Sequence, residues 1–198
     1  MYSSVNSGEF FVVFFNLYQK ELIIIETKRI IMDEMAMQRA IDRISYEIIE
    51  HNKGVENLCV VGILSRGVPI AKRIAKKISE IEKNEIPFGA IDITPYRDDI
   101  ETSGITENTK IPFEIKDKKV IIVDDVIFTG RSARAALDAL IKRGRPRLIQ
   151  LAVLVDRGHR ELPIRPDYIG KNLPTSHSEV VNVSVKEIDE VDCVAISN

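Results

Sequence analysis

Residues 120–132 read Val120-Ile121-Ile122-Val123-Asp124-Asp125-Val126-Ile127-Phe128-Thr129-Gly130-Arg131-Ser132. The first four are β-branched and uninterrupted by any polar residue, which predicts a strand buried on both faces rather than one lying on a surface. From Ser132 to Arg143 the apolar residues Ala136, Leu137, Leu140 and Ile141 recur at helical spacing, and Gly144 ends the run. The stretch is therefore a strand, a short turn and a helix. Asp124 and Asp125 stand just past the carboxyl end of the strand, the edge at which open α/β sheets bind their ligands.

The same alternation extends outward in both directions. Asp33 starts a helix carrying Met37, Ile41, Ile44 and Ile48, stopped by Gly54. Leu58 to Leu64 is a second apolar run, and Pro69 opens a helix with Ile70, Ile74 and Ile78 on one face. A strand is expected from Phe88 to Ile93, and another from Leu148 to Val155. Short strands near Val180–Val185 and Cys193–Ile196 close the chain. Buried strands alternating with amphipathic helices predict right-handed βαβ units and a mostly parallel sheet. Residues 95–112 are polar and without period, a length that marks a functional loop. Residues 1–27 stand apart, either as an added edge strand (Leu22–Ile25 with Phe11–Phe15) or as an extension ahead of a domain spanning residues 28–198.

Composition narrows the function classes. The chain has 198 residues, 44% apolar and 29% charged, an ordinary globular balance that excludes a disordered chain or a coiled-coil rod. Its 28 basic and 30 acidic residues give a net charge of −2, so bulk charge argues for no nucleic-acid partner. Cys59 and Cys193 lie in apolar runs and read as core thiols of a reducing compartment. No stretch approaches the ~20 apolar residues of a membrane span, and Met1–Phe15 lacks the basic start and cleavage site of a signal peptide. A cytoplasmic protein is expected.

Paired carboxylates beside Thr129-Gly130-Arg131-Ser132 suit a ligand with both a phosphate and sugar hydroxyls. Gly130 permits close backbone approach, and the helix N-terminus offers N–H groups to a phosphate. The two acids accept hydrogen bonds from ribose hydroxyls. A capped helix after a strand that happens to end in acids is the plainer alternative; two acids, Thr-Gly and Ser on one turn argue against it. Neither Gly-x-x-x-x-Gly-Lys nor Gly-x-Gly-x-x-Gly occurs, so nucleoside triphosphate and dinucleotide sites lose their usual support.

The thirteen residues resemble the phosphoribosyl pyrophosphate (PRPP) motif of type I phosphoribosyltransferases. Gly62-Ile-Leu-Ser-Arg-Gly67 occupies the place of that family's pyrophosphate loop, and Asp92-Ile-Thr-Pro-Tyr-Arg-Asp-Asp99 looks like the start of its flexible catalytic loop. Leu154-Val-Asp-Arg-Gly-His-Arg-Glu-Leu-Pro-Ile-Arg165 and Tyr168-Ile-Gly-Lys-Asn-Leu-Pro-Thr-Ser176 resemble the PyrR family, pyrimidine-operon attenuation regulators that are also uracil phosphoribosyltransferases. The resemblance runs from about Lys28 to Ser197.

It implies a central mostly parallel sheet flanked by helices, with a small hood from the chain ends and residues 157–178. It also implies conversion of uracil and PRPP to UMP and pyrophosphate, with Mg²⁺. PRPP contacts are then expected at Ser65, Arg66, Val123, Asp124, Asp125, Val126, Ile127, Phe128, Thr129, Gly130, Arg131 and Ser132. Arg97, Asp124 and Asp125 carry catalysis, the two acids meeting Mg²⁺ directly or through water or PRPP, and Arg157 and Val181 meet the uracil. The chain holds no obvious strong general base, which suits dissociative loss of a good leaving group.

Lys142, Arg143, Arg145 and Arg147, followed by Arg157, Arg160, Arg165 and Lys171, form a basic concentration that could follow an RNA backbone. By resemblance, Arg43, Arg143, Arg160, Arg165 and Lys171 contact pyrimidine-operon leader mRNA in a UMP-dependent way, from a homodimer or higher homo-oligomer. RNA-binding members carry Thr, His and Arg where this chain has Asp42, Tyr46 and His51, and Asp42 would repel phosphate. Two alternatives follow: a regulator with vestigial catalysis, or a phosphoribosyltransferase for another base.

Overall fold

The computed structural model describes residues 29–100, 104 and 106–197. The alternatives for residues 1–27 fall outside them.

Strand β1 (Arg29–Met32) leads to helix α1 (Glu34–Asn52). The Asp33 carboxylate accepts from the Ala36 amide at 2.7 Å and fixes the start of α1. Lys53 at φ 55° and Gly54 at φ 100° end it, as the sequence predicts. Then follow β2 (Leu58–Ile63), α2 (Gly67–Glu82), β3 (Phe88–Ile91), β4 (Lys119–Ile127), α3 (Arg131–Arg143) and β5 (Leu148–Asp156). The chain closes with β6 (Tyr168–Asn172), β7 (Val180–Ser184), the single-turn α4 (Lys186–Asp189) and β8 (Cys193–Ser197).

The expected parallel sheet is present, in the order β3-β2-β4-β5-β6 with every neighbour parallel. Alternation along its strands explains their apolar runs. Leu58, Val60, Ile121 and Val123 pack toward α1 and α2, while Cys59, Val61, Val120 and Ile122 pack toward α3. Burial pushes the Cys59 thiol up to about 12, so it sits in the core as an inert hydrophobe. Among the described residues, no helix is long and apolar enough to cross a membrane.

The chain ends form a hood, as expected, and three features depart from the sequence reading. Asp124 and Asp125 lie inside β4, which runs on to Ile127, rather than past its end. Residues 168–172, assigned to the hood, instead form the fifth strand of the main sheet, with Val155 aligned on Lys171 and Asp156 on Asn172. The hood is a separate antiparallel sheet, β1-β8-β7, built from the two ends of the described chain. Helix α2 starts at Gly67, two residues before Pro69, because Gly67 must pass under β4. A Cβ on Gly67 would lie 2.5 Å from the Val123 carbonyl oxygen.

Candidate active site

Strand register brings the site together. Gly62 aligns on Val123 and Ile63 on Ile91, so Ser65–Arg66 and Thr94–Arg97, which follow β2 and β3, flank Asp124–Asp125 near the end of β4, inside the strand rather than past its end, at one edge of the sheet. On the other flank Ile127 aligns on Asp156, and the Arg157 amide donates to the Ile127 carbonyl at 3.0 Å. Four loops therefore meet at the carboxyl end, where the sequence placed the site.

A cavity of about 330 Å³ lies over the N-terminus of α3, lined by Arg97, Asp99, Asp124, Val126–Ala133, Leu151 and Val153. A second, of about 250 Å³, lies beside it against Ile63–Arg66, Ile93, Thr94, Arg97, Asp124–Val126 and Ser132. The walls they share, Arg97, Asp124, Val126 and Ser132, make them two lobes of one site. Gly130, at φ 94°, turns the chain into α3 and supplies no capping side chain, so the first turn presents backbone N–H groups to the first lobe. This lobe suits a phosphate. The second lobe is walled by two arginines and two aspartates.

Asp124 Oδ1 accepts from the Asp125 amide at 3.0 Å, and Asp125 Oδ1 accepts from the Val126 amide at 2.8 Å. Enclosure by its surroundings, and then the Asp125 carboxylate beside it, hold the Asp124 acid well above the usual carboxylate range. Two crowded acids facing a cavity suit a site that receives a cation or sugar hydroxyls. Among the described residues no three acidic, His or Cys side chains gather as a metal cage. The acid pair is itself a donor set that fits Mg²⁺, which commonly takes one or two carboxylates and completes its shell with substrate oxygens and water.

Arg97 is held by Asp99, from Nε at 2.8 Å and from Nη2. Its loop is pinned to α3: Arg131 pairs with Asp98 at 2.7 Å, and Arg134 donates to the Tyr96 carbonyl at 2.6 Å. At the loop base, Asp92 accepts from the Thr94 and Asn108 amides, both at 2.9 Å. Burial pushes the Asp92 carboxyl up, but these bonds outweigh it and leave the group below its ordinary value. Asp92 thus ties the two ends of the loop, a role beyond the sequence reading of it as the loop's first residue.

Arg157 is buried. Its guanidinium lies 4.0 Å over the Phe128 ring and donates to Thr175 Oγ1 at 2.9 Å and to the carbonyls of Ser176, His177 and Glu179. Arg157 therefore shapes the 175–179 loop that leads to Val181 on β7, and its ring contact reaches the wall of the first lobe. The His159 ring lies 4.0 Å from that of His177, tilted by 51°, and 5.8 Å from that of Phe128 in an edge-on contact.

The basic residues do not form one patch. Arg143 lies at the end of α3, before β5, and pairs with Glu107 at 2.5 Å. Arg160 follows the other end of β5, whose nine residues span roughly 30 Å, Arg165 lies in the connection from β5 to β6, and Lys171 lies on β6 level with Val155. Arg165 and Lys171 are exposed. Arg43 is exposed too, and donates to the carbonyls of Ile169 and Gly170 at 3.1 and 2.6 Å, which places it against β6 near Lys171. Arg160 is not free: it donates to the carbonyls of Phe128, Gly158 and Ile164 and pairs with Asp156 at 2.7 Å. Asp42 sits between Gln38 (2.9 Å) and Lys77 (3.5 Å), so its charge is partly offset.

A parallel sheet with an acid pair and a glycine turn into a helix N-terminus at its carboxyl edge is the architecture of a type I phosphoribosyltransferase, and the family model described as "Phosphoribosyl transferase domain" matches residues 29–188. The fold is similar to that of hypoxanthine phosphoribosyltransferases from Staphylococcus aureus (TM-score 0.67, 20% identity, 85% of this chain and 90% of that one) and Trypanosoma cruzi (TM-score 0.66, 17% identity, 84% and 94%). The bifunctional protein PyrR of Acetivibrio thermocellus is 60% identical over 171 residues, covering 85% of this chain and 93% of that protein. That of Clostridioides difficile is 60% identical over 169 residues, covering 84% and 96%. The chain belongs to the PyrR family of phosphoribosyltransferases.

Proposed function

We propose that this protein transfers the phosphoribosyl group of PRPP to N1 of uracil, giving UMP and pyrophosphate, and binds pyrimidine-operon leader RNA in response to UMP. The observation that carries the enzymatic half is the two-lobed cavity: Asp124 and Arg97 at the join, a helix N-terminus under one lobe and Asp125 and Arg66 on the other.

The backbone N–H groups of the α3 first turn, with the Thr129 and Ser132 hydroxyls, take the 5′-phosphate. Asp125 and Asp124 accept from the ribose hydroxyls and orient the anomeric carbon toward the base. Arg66 and Arg97 hold the pyrophosphate oxygens and stabilise the charge that develops there as the bond to the anomeric carbon lengthens. Asp124 and Asp125 would hold Mg²⁺, directly or through water, and the ion would supply charge neutralisation to the pyrophosphate as it leaves. Closure of the Arg97 loop excludes water from the oxocarbenium-like state. The 175–181 segment, shaped by Arg157, supplies backbone groups to the uracil edge.

The regulatory half draws on the exposed cations beside β6, Arg43, Arg165 and Lys171, on the flank adjoining the Arg157 loop. Radiolabelled uracil turnover with PRPP and Mg²⁺ tests the enzymatic reading, and absence of UMP formation would refute it. Hypoxanthine as a competing acceptor separates uracil specificity from that of another base.

A further inference from the structure

A guanidinium presents two forks to oxyanions: a side-on fork of Nε with Nη2 and an end-on fork of Nη1 with Nη2. Helix α2 and the residue before it carry Arg66 and Arg73, seven positions apart and therefore on the same helical face. Both reach the hood turn at α4. Arg73 spends both forks there: Glu187 takes Nε at 2.9 Å and Nη2, and Asp192 takes Nη1 and Nη2, each at 2.9 Å. It is a staple.

Arg66 differs. Asp189 takes only its side-on fork, Nε at 3.1 Å and Nη2 at 2.7 Å. Among the described residues nothing accepts from its Nη1, and the residue lines the lobe that also holds Asp124, Asp125 and Arg97. Asp189 is fixed in turn, because its Oδ2 also accepts from the Val185 amide at 2.9 Å. Asp189 itself lines neither lobe.

We infer that Asp189 is a positioning residue: it clamps Arg66 side-on from the hood, so that the end-on fork faces the anion lobe already oriented for the pyrophosphate of PRPP. This rests on the PRPP reading of the cavity and adds to it a residue outside the substrate's reach. A long flexible side chain clamped in advance loses less freedom when the polyanion arrives. The clamp also couples the hood to the pyrophosphate loop.

The test uses the full-length protein with four variants. Asp189→Asn keeps an oxygen for Val185 but turns an amide NH₂ against Arg66 Nη2. It is expected to raise the PRPP KM about tenfold and weaken Mg²⁺-pyrophosphate binding by calorimetry to a similar degree, with the uracil KM within about twofold. Glu187→Gln opens the Arg73 staple on the same turn, and is expected to lower Tm while leaving the PRPP KM unchanged. In an Arg66→Lys background, which has no fork to clamp, Asp189→Asn is expected to add nothing further. Should Asp189→Asn prove unstable, Asp189→Glu displaces the guanidinium by one methylene and is read for the same loss of pyrophosphate affinity. The inference fails if a folded Asp189 variant binds pyrophosphate as wild type does, if Glu187→Gln raises the PRPP KM equally, or if the Asp189→Asn effect persists in the Arg66→Lys background. Loss of uracil turnover in the wild type would overturn the enzymatic reading alone, since pyrophosphate binding still decides the role of Asp189.

Discussion

The Nη1 atom of Arg160 lies 2.8 Å from the carbonyl oxygen of Phe128, inside the turn that leads into α3. The same guanidinium holds Asp156 at the end of β5 and the Ile164 carbonyl beyond it. That places the Glu161 and Leu162 amides on the Thr129 carbonyl, at 3.0 and 3.1 Å. Arg160 thus braces the Phe128–Gly130 turn from behind. Arg160→Ala leaves Asp156 and three carbonyls short of a donor and is expected to cost about 2–4 kcal/mol of stability. At about 2–4 °C per kcal/mol the loss is readily seen in a melt. Turnover should fall about tenfold or more, because small displacements of a substrate cradle are costly. Unchanged melting and turnover would return Arg160 to the surface role its sequence position suggests.

The acid pair makes a separate prediction. In Asp125→Asn the amide oxygen still accepts from the Val126 amide, so the backbone at the end of β4 is retained. What is lost is a charged acceptor for a ribose hydroxyl, on the order of 1.5–3 kcal/mol, where 1.4 kcal/mol is tenfold. Uracil turnover is expected to fall at least tenfold with the circular dichroism spectrum intact. A folded variant with near-wild-type turnover would remove the site assignment.

Strands with neighbours on both sides were legible from composition alone, since a fully flanked strand such as β4 must be apolar on both faces. Strands β1 and β6 were not. Both are edge strands, as are β3 and β7, which were legible; what β6 lacks is an apolar run, its Tyr-Ile-Gly-Lys-Asn ending in two exposed residues. The acid pair and the glycine turn were legible because they follow one another along the chain. Arg66–Asp189 and Arg160–Phe128 join residues 123 and 32 positions apart, and no local pattern announces such contacts. The basic concentration misled for the related reason that β5 runs through it: sequence neighbours on either side of a strand emerge at opposite ends of the sheet.

The crowding of Asp124 has a pH signature. Its folded-state acidity is weakened by enclosure and by Asp125, so ionisation at neutral pH costs native-state stability. Asp124→Asn removes that charge and is expected to raise Tm at neutral pH by about 2–4 °C for each kcal/mol relieved. The sign fixes the window: a raised native pKa makes the wild type lose stability relative to Asn as pH climbs above the ordinary carboxylate range. Below that range both side chains are neutral and the two melting curves should converge. Turnover falls in this variant at every pH, so stability and activity move in opposite directions. A Tm difference independent of pH would show that the gain came from packing instead.

The RNA reading now concerns one flank of the molecule. If leader RNA docks along β6, affinity should fall steeply with salt, since each phosphate neutralised releases counterions. Arg165→Ala and Lys171→Ala, both exposed there, should each weaken binding and flatten the salt slope by about one unit. Arg143→Ala, roughly 30 Å away along β5 and paired with Glu107, should leave the slope unchanged. Arg43→Ala is expected to act twice, lowering affinity and loosening β6 by releasing the Ile169 and Gly170 carbonyls. Asp42 already shares its charge with Lys77, so Asp42→Thr should raise affinity only modestly and leave uracil turnover unchanged. UMP should tighten binding and guanine nucleotides should not, because the Arg157 loop joins the end of β5 to the segment leading to Lys171. If Arg143→Ala flattens the slope as much as Lys171→Ala does, the RNA crosses the opposite end of the sheet and the β6 flank is the wrong surface. A wild-type protein with normal turnover and no salt-sensitive RNA binding would leave only the salvage reaction.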